Sequence, residues 1–173
     1  MKILITGTKG LSQGLYDILS HDHEVNMISR TTGYDIKECS KWANEFKDFD
    51  LVVNCCYSDF GQVNVLTEFV DMWKDDASKA IINIGSAVTS YSFTEVERDY
   101  TFVPYRMHKL ALSHAFEKLT KTCKCHLQLI SPGLFDTPMV KDNPHKKMPV
   151  GQVANYIVNV MFDEHIKRID FWE

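Results

Sequence analysis

Residues 1–14 of the chain are MKILITGTKGLSQG, and this stretch decides the predicted fold. An apolar, β-branched run over residues 2–6 stops at a turn that contains Gly7, Gly10 and Gly14. Beyond the turn, apolar residues recur at helical spacing at Leu11, Leu15, Ile18 and Leu19. The pattern predicts a β-strand, a glycine-rich turn and an α-helix.

Such a turn is suited to binding phosphate. It leaves room for an anion against the free backbone N–H groups at the start of the helix, where the helix dipole also favours negative charge. A nucleotide phosphate is the natural ligand of this arrangement. The spacing is not the plain G-x-G-x-x-G motif, so a tight strand-to-helix connection without a ligand stays open as an alternative.

Composition indicates one globular domain over residues 1–173, with 45% hydrophobic residues to build a core. A net charge of -4 and a pI near 6.0 give no electrostatic reason to expect a nucleic-acid partner or an anionic membrane. No signal-peptide pattern is present, and no apolar run approaches the ~20 residues of a membrane span. We therefore expect a cytoplasmic protein.

The five cysteines, an odd number, suit a reducing compartment. Cys55-Cys56 and Cys123-x-Cys125 lack the C-x-x-C spacing of many metal sites, so small buried residues are a better interpretation than metal ligands. We predict no metal site.

Strand-like and helix-like segments alternate along the rest of the chain. Strands are predicted at 2–6, 24–29, 50–54, 80–84, 126–130 and 166–171, with a stunted strand at 33–36; helices are predicted from residue 11 and at 39–46, 63–73, 106–121 and 150–161. This alternation predicts an α/β fold, a single-domain Rossmann-type doubly wound parallel sheet with helices on both faces. A ligand is expected outside the carboxyl ends of the strands.

Two features that carry chemistry fall near those strand ends. Tyr105 and Lys109 stand four residues apart, so a helix that begins there presents both on one face. A nearby cation favours phenolate, which lowers the tyrosine pKa from ~10 toward neutral and suits proton transfer. Ser86 follows the predicted strand 80–84 at the carboxyl edge of the sheet. From that position its hydroxyl is able to hydrogen-bond a carbonyl oxygen. A solvent-facing pair and a turn-capping serine are the alternatives.

The order of these motifs resembles that of the short-chain dehydrogenase/reductase family. The chain is similar to an unusually short member of that family. Residues 6–12 resemble its glycine-rich turn with one residue deleted. Asp35-Ile36 resembles the acidic-aliphatic pair that touches adenine, and residues 53–56 resemble the strand end with the sequence Asn-Asn-Ala-Gly.

The second half of the chain continues the resemblance. Asn64 matches the helix asparagine of the catalytic tetrad, Ser86 its serine, and Tyr105 and Lys109 its tyrosine and lysine. Residues 132–137 resemble the P-G-x-x-x-T loop beneath the nicotinamide. The resemblance implies that the cofactor is contacted by Gly7, Thr8, Lys9, Gly10, Leu11, Ser29, Arg30, Asp35, Ile36, Asn54, Cys55, Cys56, Tyr105, Lys109, Pro132, Gly133, Leu134 and Thr137.

The resemblance implies a nicotinamide-dependent carbonyl reductase or alcohol dehydrogenase that acts on a small molecule. Tyr105 would exchange a proton with the substrate oxygen, Lys109 would lower the pKa of Tyr105 and bind the ribose, and Ser86 would hold the carbonyl oxygen. Asn64 would anchor a proton-relaying water, or would be a helix residue that caps its own backbone. Residues 134 and 137 would fix the carboxamide.

Charge at the end of the second strand bears on the choice of cofactor. An acidic residue there binds the ribose 2′-OH, whereas a basic one accommodates a 2′-phosphate. Ser29 stands where the acid is expected, Arg30 follows it, and Lys9 supplies a second base. We therefore expect NADP(H) to be preferred, with NAD(H) as the alternative.

Two segments depart from the family pattern. Residues 139–148 are short and carry Lys141, Lys146 and Lys147, so the site is either open or favours an anionic group. The segment 87–104 is longer than usual, with Tyr91 and Phe93 among aromatics that line a pocket or belong to a solvated loop.

Two other functions stay open. One is a non-catalytic NADP(H)-binding sensor or structural module, and the other is a nucleotide-sugar epimerase or reductase. A homo-oligomer formed through the helices that carry Asn64 and Tyr105 is a further expectation.

Overall fold

The computed structural model describes residues 1–90 and 102–172, and in that part of the chain six strands form one sheet. The strands are β1 (Lys2–Thr6), β2 (Glu24–Ile28), β3 (Leu51–Asn54), β4 (Ala80–Ile84), β5 (His126–Pro132) and β6 (Arg168–Phe171). Their order across the sheet is β2-β1-β3-β4-β5-β6, and every neighbouring pair is parallel. The predicted doubly wound α/β fold is confirmed.

The described part of the chain contains four α-helices between these strands. They are α1 (Leu11–Leu19), α2 (Gly61–Trp73), α3 (Phe102–Leu119) and α4 (Val150–Val160). Short 3-10 helices lie at Arg30–Thr32, Ile36–Lys41, Ala43–Phe46, Ala87–Thr89 and Pro138–Val140. No helix in the described ranges is long and apolar enough to cross a membrane.

Alternate strand residues face opposite sides of the sheet, so each strand feeds two hydrophobic layers. Ile5 packs in one layer with Leu15 of α1 and Ile157 of α4. Leu4 packs in the other with Phe69 of α2 and Leu112 of α3. All six side chains are fully buried, which explains why the central strands are continuous apolar runs.

The predicted strand at 33–36 is wrong. Gly33 adopts a left-handed conformation with φ +94° and ends the 3-10 helix Arg30–Thr32. The Asp35 carboxylate then accepts the Lys37 N–H at 2.9 Å and caps a second 3-10 helix. Because these turns draw the chain away from the sheet, β2 is left as its edge strand.

Two predicted helices differ from the observed elements. The helix predicted at 39–46 is two 3-10 helices that meet at Trp42. Helix α3 begins at Phe102, four residues before its predicted start, with Pro104 in the first turn where proline is tolerated. Tyr105 therefore lies inside the helix. Tyr91 and Phe93 lie outside the described residues.

Candidate functional site

The glycine-rich turn between β1 and α1 has a backbone that requires glycine. Gly7 and Gly10 have φ values of +100° and +59°, a region that other residues rarely adopt. A Cβ on Gly7 would also collide with the Ser12 hydroxyl, which donates to the Thr6 carbonyl at 3.0 Å. The turn is therefore tightly fixed against the end of β1.

The start of α1 fits an anion. Its N-cap residue is Gly10, which has no side chain to bond the first-turn N–H groups, and the first turn contains no acidic residue. Leu11 is buried in the core and anchors this turn. Uncapped N–H groups at the positive end of a helix are donors suited to a nucleotide diphosphate. The residues present fit the phosphate part of the expected cofactor.

Hydroxyl groups cluster beside Arg30 at the end of β2. The Ser29 hydroxyl lies 2.8 Å from the Thr31 hydroxyl and accepts from the Thr8 hydroxyl at 3.5 Å. Arg30 and Lys9 are both exposed. The structure thus brings Thr8 and Ser29 together and leaves the two predicted cations open to solvent.

The end of β3 is attached to β1 through Thr6. The Thr6 hydroxyl oxygen accepts the backbone N–H groups of Cys55 and Cys56 at 2.9 and 3.0 Å. Burial raises the pKa of the Cys55 thiol to about 11, partly offset by a hydrogen bond with Ser12. Burial also raises the pKa of Cys56. Both thiols are thus protonated near neutral pH. Cys55 connects the end of β3 to Thr6, which directly precedes the glycine-rich turn.

Two residues predicted to contact the cofactor have buried side chains. The Asn54 amide donates to the Gln62 carbonyl at 2.7 Å and to the Asn83 side chain at 2.9 Å, so it ties β3 to α2 and β4. Ile36 is only 3% exposed and packs against Gly61. The structure does not bring either side chain to the surface of the site.

Ser86, Tyr105 and Lys109 do come together. Lys109 Nζ lies 5.7 Å from the centroid of the Tyr105 ring, and Ser86 lies near enough to the Tyr105 hydroxyl to act on its pKa. The predicted shared helix face is therefore correct. Ser86 also caps the 3-10 helix Ala87–Thr89 by accepting the Val88 N–H at 3.4 Å, so the capping alternative holds as well.

The predicted direction of the Tyr105 pKa is wrong. Burial raises this pKa, and the hydrogen bond from Ser86 offsets the rise only in part. Burial also lowers the pKa of Lys109 to about 8, although Cys55 and Cys56 oppose that shift. Removal from water favours the neutral form of both groups, and spacing in the sequence does not reveal this.

Lys109 is only 4% exposed, and its amine is held by α2 and β4. Nζ donates to Gln62 Oε1 at 2.7 Å and to the Ile84 carbonyl at 2.8 Å. Sequence reasoning missed Gln62. The available signal was a polar residue on an apolar helix face, since Gln62 is followed at helical spacing by buried Val65 and Leu66.

The hydrogen bonds of Asn64 and Lys109 in the described part of the chain do not join the two residues. The Asn64 amide instead donates to the Lys37 carbonyl at 3.2 Å. Residues two apart on a helix point roughly 200° apart, so Gln62 and Asn64 face different directions. The side chain of α2 that contacts Lys109 is the one from Gln62.

Tyr57, in the connection after β3, stands beside Tyr105. The two rings meet edge to face with centroids 4.9 Å apart. The Tyr57 hydroxyl lies 2.9 Å from His108 Nδ1, and the His108 ring packs on Phe60. This aromatic cluster, Tyr57, Phe60 and His108, forms a wall of the site that the sequence analysis did not anticipate.

The loop after β5 reaches back to the glycine-rich turn. Pro132 is buried, and Gly133 lies so close to Trp172 that an added Cβ would sit 2.7 Å from the Trp172 Cβ. The Leu134 carbonyl accepts the Met148 N–H at 3.0 Å. A Cβ on Gly10 would lie 3.7 Å from the Thr137 side chain, so the loop places Thr137 beside the turn.

The basic segment at 139–148 is partly engaged with itself. Lys147 Nζ donates to the Lys141 carbonyl at 3.0 Å, which draws the two ends of the segment together. Elsewhere, within residues 1–90 and 102–172, no group of three or more His, Cys, Asp or Glu side chains is arranged to hold a metal ion.

No protein-family model and no curated protein sequence matches the chain. Solved structures do match. A short-chain dehydrogenase from Burkholderia cenocepacia in complex with NADP is 19% identical, with a TM-score of 0.77 over 98% of this chain and 86% of that one. Serine dehydrogenase from Escherichia coli is 15% identical, with a TM-score of 0.71 over 99% and 97% of the two chains.

A third similar structure is the 3-alpha-hydroxysteroid dehydrogenase from Pseudomonas sp. B-0831 complexed with NADH. It is 15% identical, with a TM-score of 0.67 over 98% of this chain and 95% of that one. At these identities the likeness establishes the fold. The chain has the Rossmann-type fold of the short-chain dehydrogenases.

Proposed function

We propose that the protein is an NADP(H)-dependent oxidoreductase, a carbonyl reductase or alcohol dehydrogenase that uses Ser86, Tyr105 and Lys109. The observation that carries the proposal is the position of Tyr105, whose ring centroid lies 5.7 Å from Lys109 Nζ and whose hydroxyl lies near Ser86. Ser86 follows β4, and Tyr105 and Lys109 lie on α3. All three are near the end of the sheet where the glycine-rich turn also lies. The likeness to dehydrogenase structures that contain NADP or NADH supports the same conclusion.

The cofactor would be held by residues from three connections. The uncapped N-terminus of α1, with the turn from Gly7 to Gly10, would bind the diphosphate. Arg30 and Lys9, together with the hydroxyls of Thr8 and Ser29, would bind a 2′-phosphate, because guanidinium and hydroxyl groups are good phosphate donors. This donor set, with no carboxylate at residue 29, supports NADP(H) over NAD(H).

The loop after β5 would support the other end of the cofactor. Thr137 and the backbone of Leu134 would hold the carboxamide, and Pro132 and Gly133 would shape the loop. When bound, the nicotinamide supplies or accepts the hydride.

The side chains of the chain would manage the proton and the substrate oxygen. Ser86 would donate a hydrogen bond to the carbonyl oxygen, where negative charge develops during reduction. Tyr105 would donate its proton to that oxygen, and in oxidation it would take the proton back. The positive charge of Lys109 would stabilise the phenolate left behind, and burial of both groups strengthens that interaction.

One observation favours the alternative, a non-catalytic NADP(H)-binding module. The pKa of Tyr105 is raised, and Lys109 Nζ bonds to protein acceptors on α2 and β4. In that alternative the same side chains hold the end of the sheet together and transfer no proton.

The two functions are separated by following NADPH oxidation with a panel of ketones and aldehydes. The enzyme should turn over at least one substrate, and Tyr105→Phe should lower kcat/KM by ~10²-fold or more, since general acid catalysis contributes about that much. Tyr156→Phe, a change at an exposed tyrosine of α4, is the matched control. Turnover that Tyr105→Phe retains would exclude Tyr105 as the acid, and binding of NADPH without any turnover would favour the alternative.

Cofactor preference is tested with Arg30→Ala by calorimetric titration of NADPH and NADH. The variant should lose affinity for NADPH by about tenfold or more and change little toward NADH, because a charge-assisted hydrogen bond is lost. Equal losses for both nucleotides would refute the role in binding a 2′-phosphate.

A further inference from the structure

The Lys109 amine is held from a side that the family resemblance does not anticipate. An ammonium group has three N–H donors, and two of them are used by Gln62 Oε1 at 2.7 Å and the Ile84 carbonyl at 2.8 Å. These two acceptors come from α2 and β4. The centroid of the Tyr105 ring lies 5.7 Å from the same amine.

Gln62 is itself fixed in one orientation. Its side-chain nitrogen donates to the carbonyls of Asn54 at 2.8 Å and Ile84 at 3.0 Å, so its oxygen is directed to Lys109. The Gln62 carbonyl accepts from the Asn54 amide, whose other bond is to Asn83 on β4. Gln62 is only 3% exposed, and Asn54 and Asn83 are fully buried. A rigid network of buried amides therefore presents one acceptor to the lysine.

The titratable groups that face Lys109 are weak acids. Tyr105 faces it from α3, and Tyr57, Cys55 and Cys56 face it from the connection after β3. Burial raises the pKa of each of these four groups. The Gln62 dipole and the Ile84 carbonyl are thus the polar groups that meet the ammonium directly.

We propose that Gln62 is a positioning residue that holds the Lys109 ammonium beside the Tyr105 ring. Gln62 does this by direct contact, with its amide oxygen on Nζ. The kinetic consequence rests on the proposed function, since it requires that Tyr105 transfers a proton. The positioning of Lys109 does not require turnover.

The test measures Lys109 directly by NMR, in protein labelled at the lysine ε-carbons. The Lys109 signal is assigned by its loss in Lys109→Met, and its pKa is then followed in two variants with opposite effects. Gln62→Met removes the acceptor and should lower the pKa of Lys109 by about 1 or more, whereas Gln62→Glu retains an acceptor, adds a negative charge and should raise it by about 1 or more. If Gln62→Met does not fold, Gln62→Glu alone still decides the direction.

Two variants of α2 complete the comparison. Asn64→Leu should leave the Lys109 titration where it is in the wild type, because the Asn64 amide bonds the Lys37 carbonyl. Thr67→Val controls for general effects of changing the helix, since the Thr67 hydroxyl bonds only to carbonyls of its own helix among the described contacts. A shift produced by Asn64→Leu and absent from both Gln62 variants would overturn the proposal.

The kinetic readout separates this proposal from the proposed function. In an active enzyme, the apparent pKa in the pH profile of kcat should increase in the order Gln62→Met, wild type, Gln62→Glu. The substitutions should change kcat more than KM. If the Gln62 substitutions shift the pKa of Lys109 in a protein that shows no turnover, the positioning role is supported and the proposed enzymatic function is refuted. Turnover with an unmoved Lys109 pKa would refute the positioning role and leave the enzyme intact.

Discussion

The free energy of unfolding is expected to rise between pH 8 and pH 10 because of Lys109. Burial lowers the pKa of this lysine from its ordinary 10.5 to about 8. Below pH 8 the amine is charged in the folded and the unfolded chain, and burying it costs stability. Between the two pKa values the folded chain has released the proton and the unfolded chain has not, so stability rises with pH.

The magnitude follows from the size of the shift. The full shift corresponds to about 3 kcal/mol, of which about 2 kcal/mol falls between pH 7.5 and 9.5. Lys109 is only 4% exposed, so solvent screening does not reduce this value much. The cysteines titrate in this range in the unfolded chain, because burial raises the pKa of the Cys55 thiol in the folded chain to about 11, and comparison with a variant that lacks only the lysine removes most of their contribution.

The assay is urea unfolding of the wild type and Lys109→Met at pH 7.5 and 9.5, with a reductant present. The stability of the wild type relative to the variant should increase by about 2 kcal/mol over that interval. Lys118→Met, at an exposed position on the same helix, is the matched control for loss of a lysine. A difference between wild type and Lys109→Met that stays constant with pH would refute the reasoning.

Three other substitutions test the scaffold of the site by denaturant unfolding. Gly7→Ala should cost about 1–3 kcal/mol and weaken NADPH binding in calorimetry, because residue 7 has φ +100°; unchanged stability would show that the turn relaxes. Thr6→Val should cost about 1–3 kcal/mol, since it leaves the N–H groups of Cys55 and Cys56 without their acceptor; a neutral effect would mean that water replaces the hydroxyl. Phe69→Ala should cost about 3–5 kcal/mol, because this ring is fully buried; a loss below 1 kcal/mol would contradict the packing described.

The parts of the fold that could be predicted are those where composition and periodicity agree. The β1 strand and the α1 helix were predicted to the residue at 2–6 and from Leu11, because an apolar run, three glycines and a helical apolar pattern follow one another. The segment at 33–36 could not be predicted in the same way. Its aliphatic and aromatic residues suit a strand, but the Gly33 turn and the Asp35 cap determine the backbone.

The sequence indicated which side chains of the site lie close together better than it indicated what surrounds them. Spacing alone placed Tyr105 and Lys109 on one face of α3, and position after a strand placed Ser86 near them. Comparison with the family motif within α2 indicated Asn64, whereas in the structure the Gln62 side chain contacts Lys109. A motif identifies residue types, and it does not show which face of a helix meets the sheet.

The direction of the Tyr105 pKa shows a second limit. The sequence contains the cation that favours phenolate, but burial of the ring has the larger effect and acts in the opposite direction. Burial depends on how α3 packs against the connection after β3, including Tyr57, and no local pattern reveals that contact.

The most direct test of the central claim is a crystal structure of the protein with NADPH bound. The diphosphate should lie on the N-terminus of α1, the 2′-phosphate beside Arg30, and the reactive carbon of the nicotinamide within about 4–5 Å of the Tyr105 hydroxyl, close enough for a substrate carbonyl between them. A nucleotide bound elsewhere, or a nicotinamide ring that Tyr105 does not face, would contradict the account.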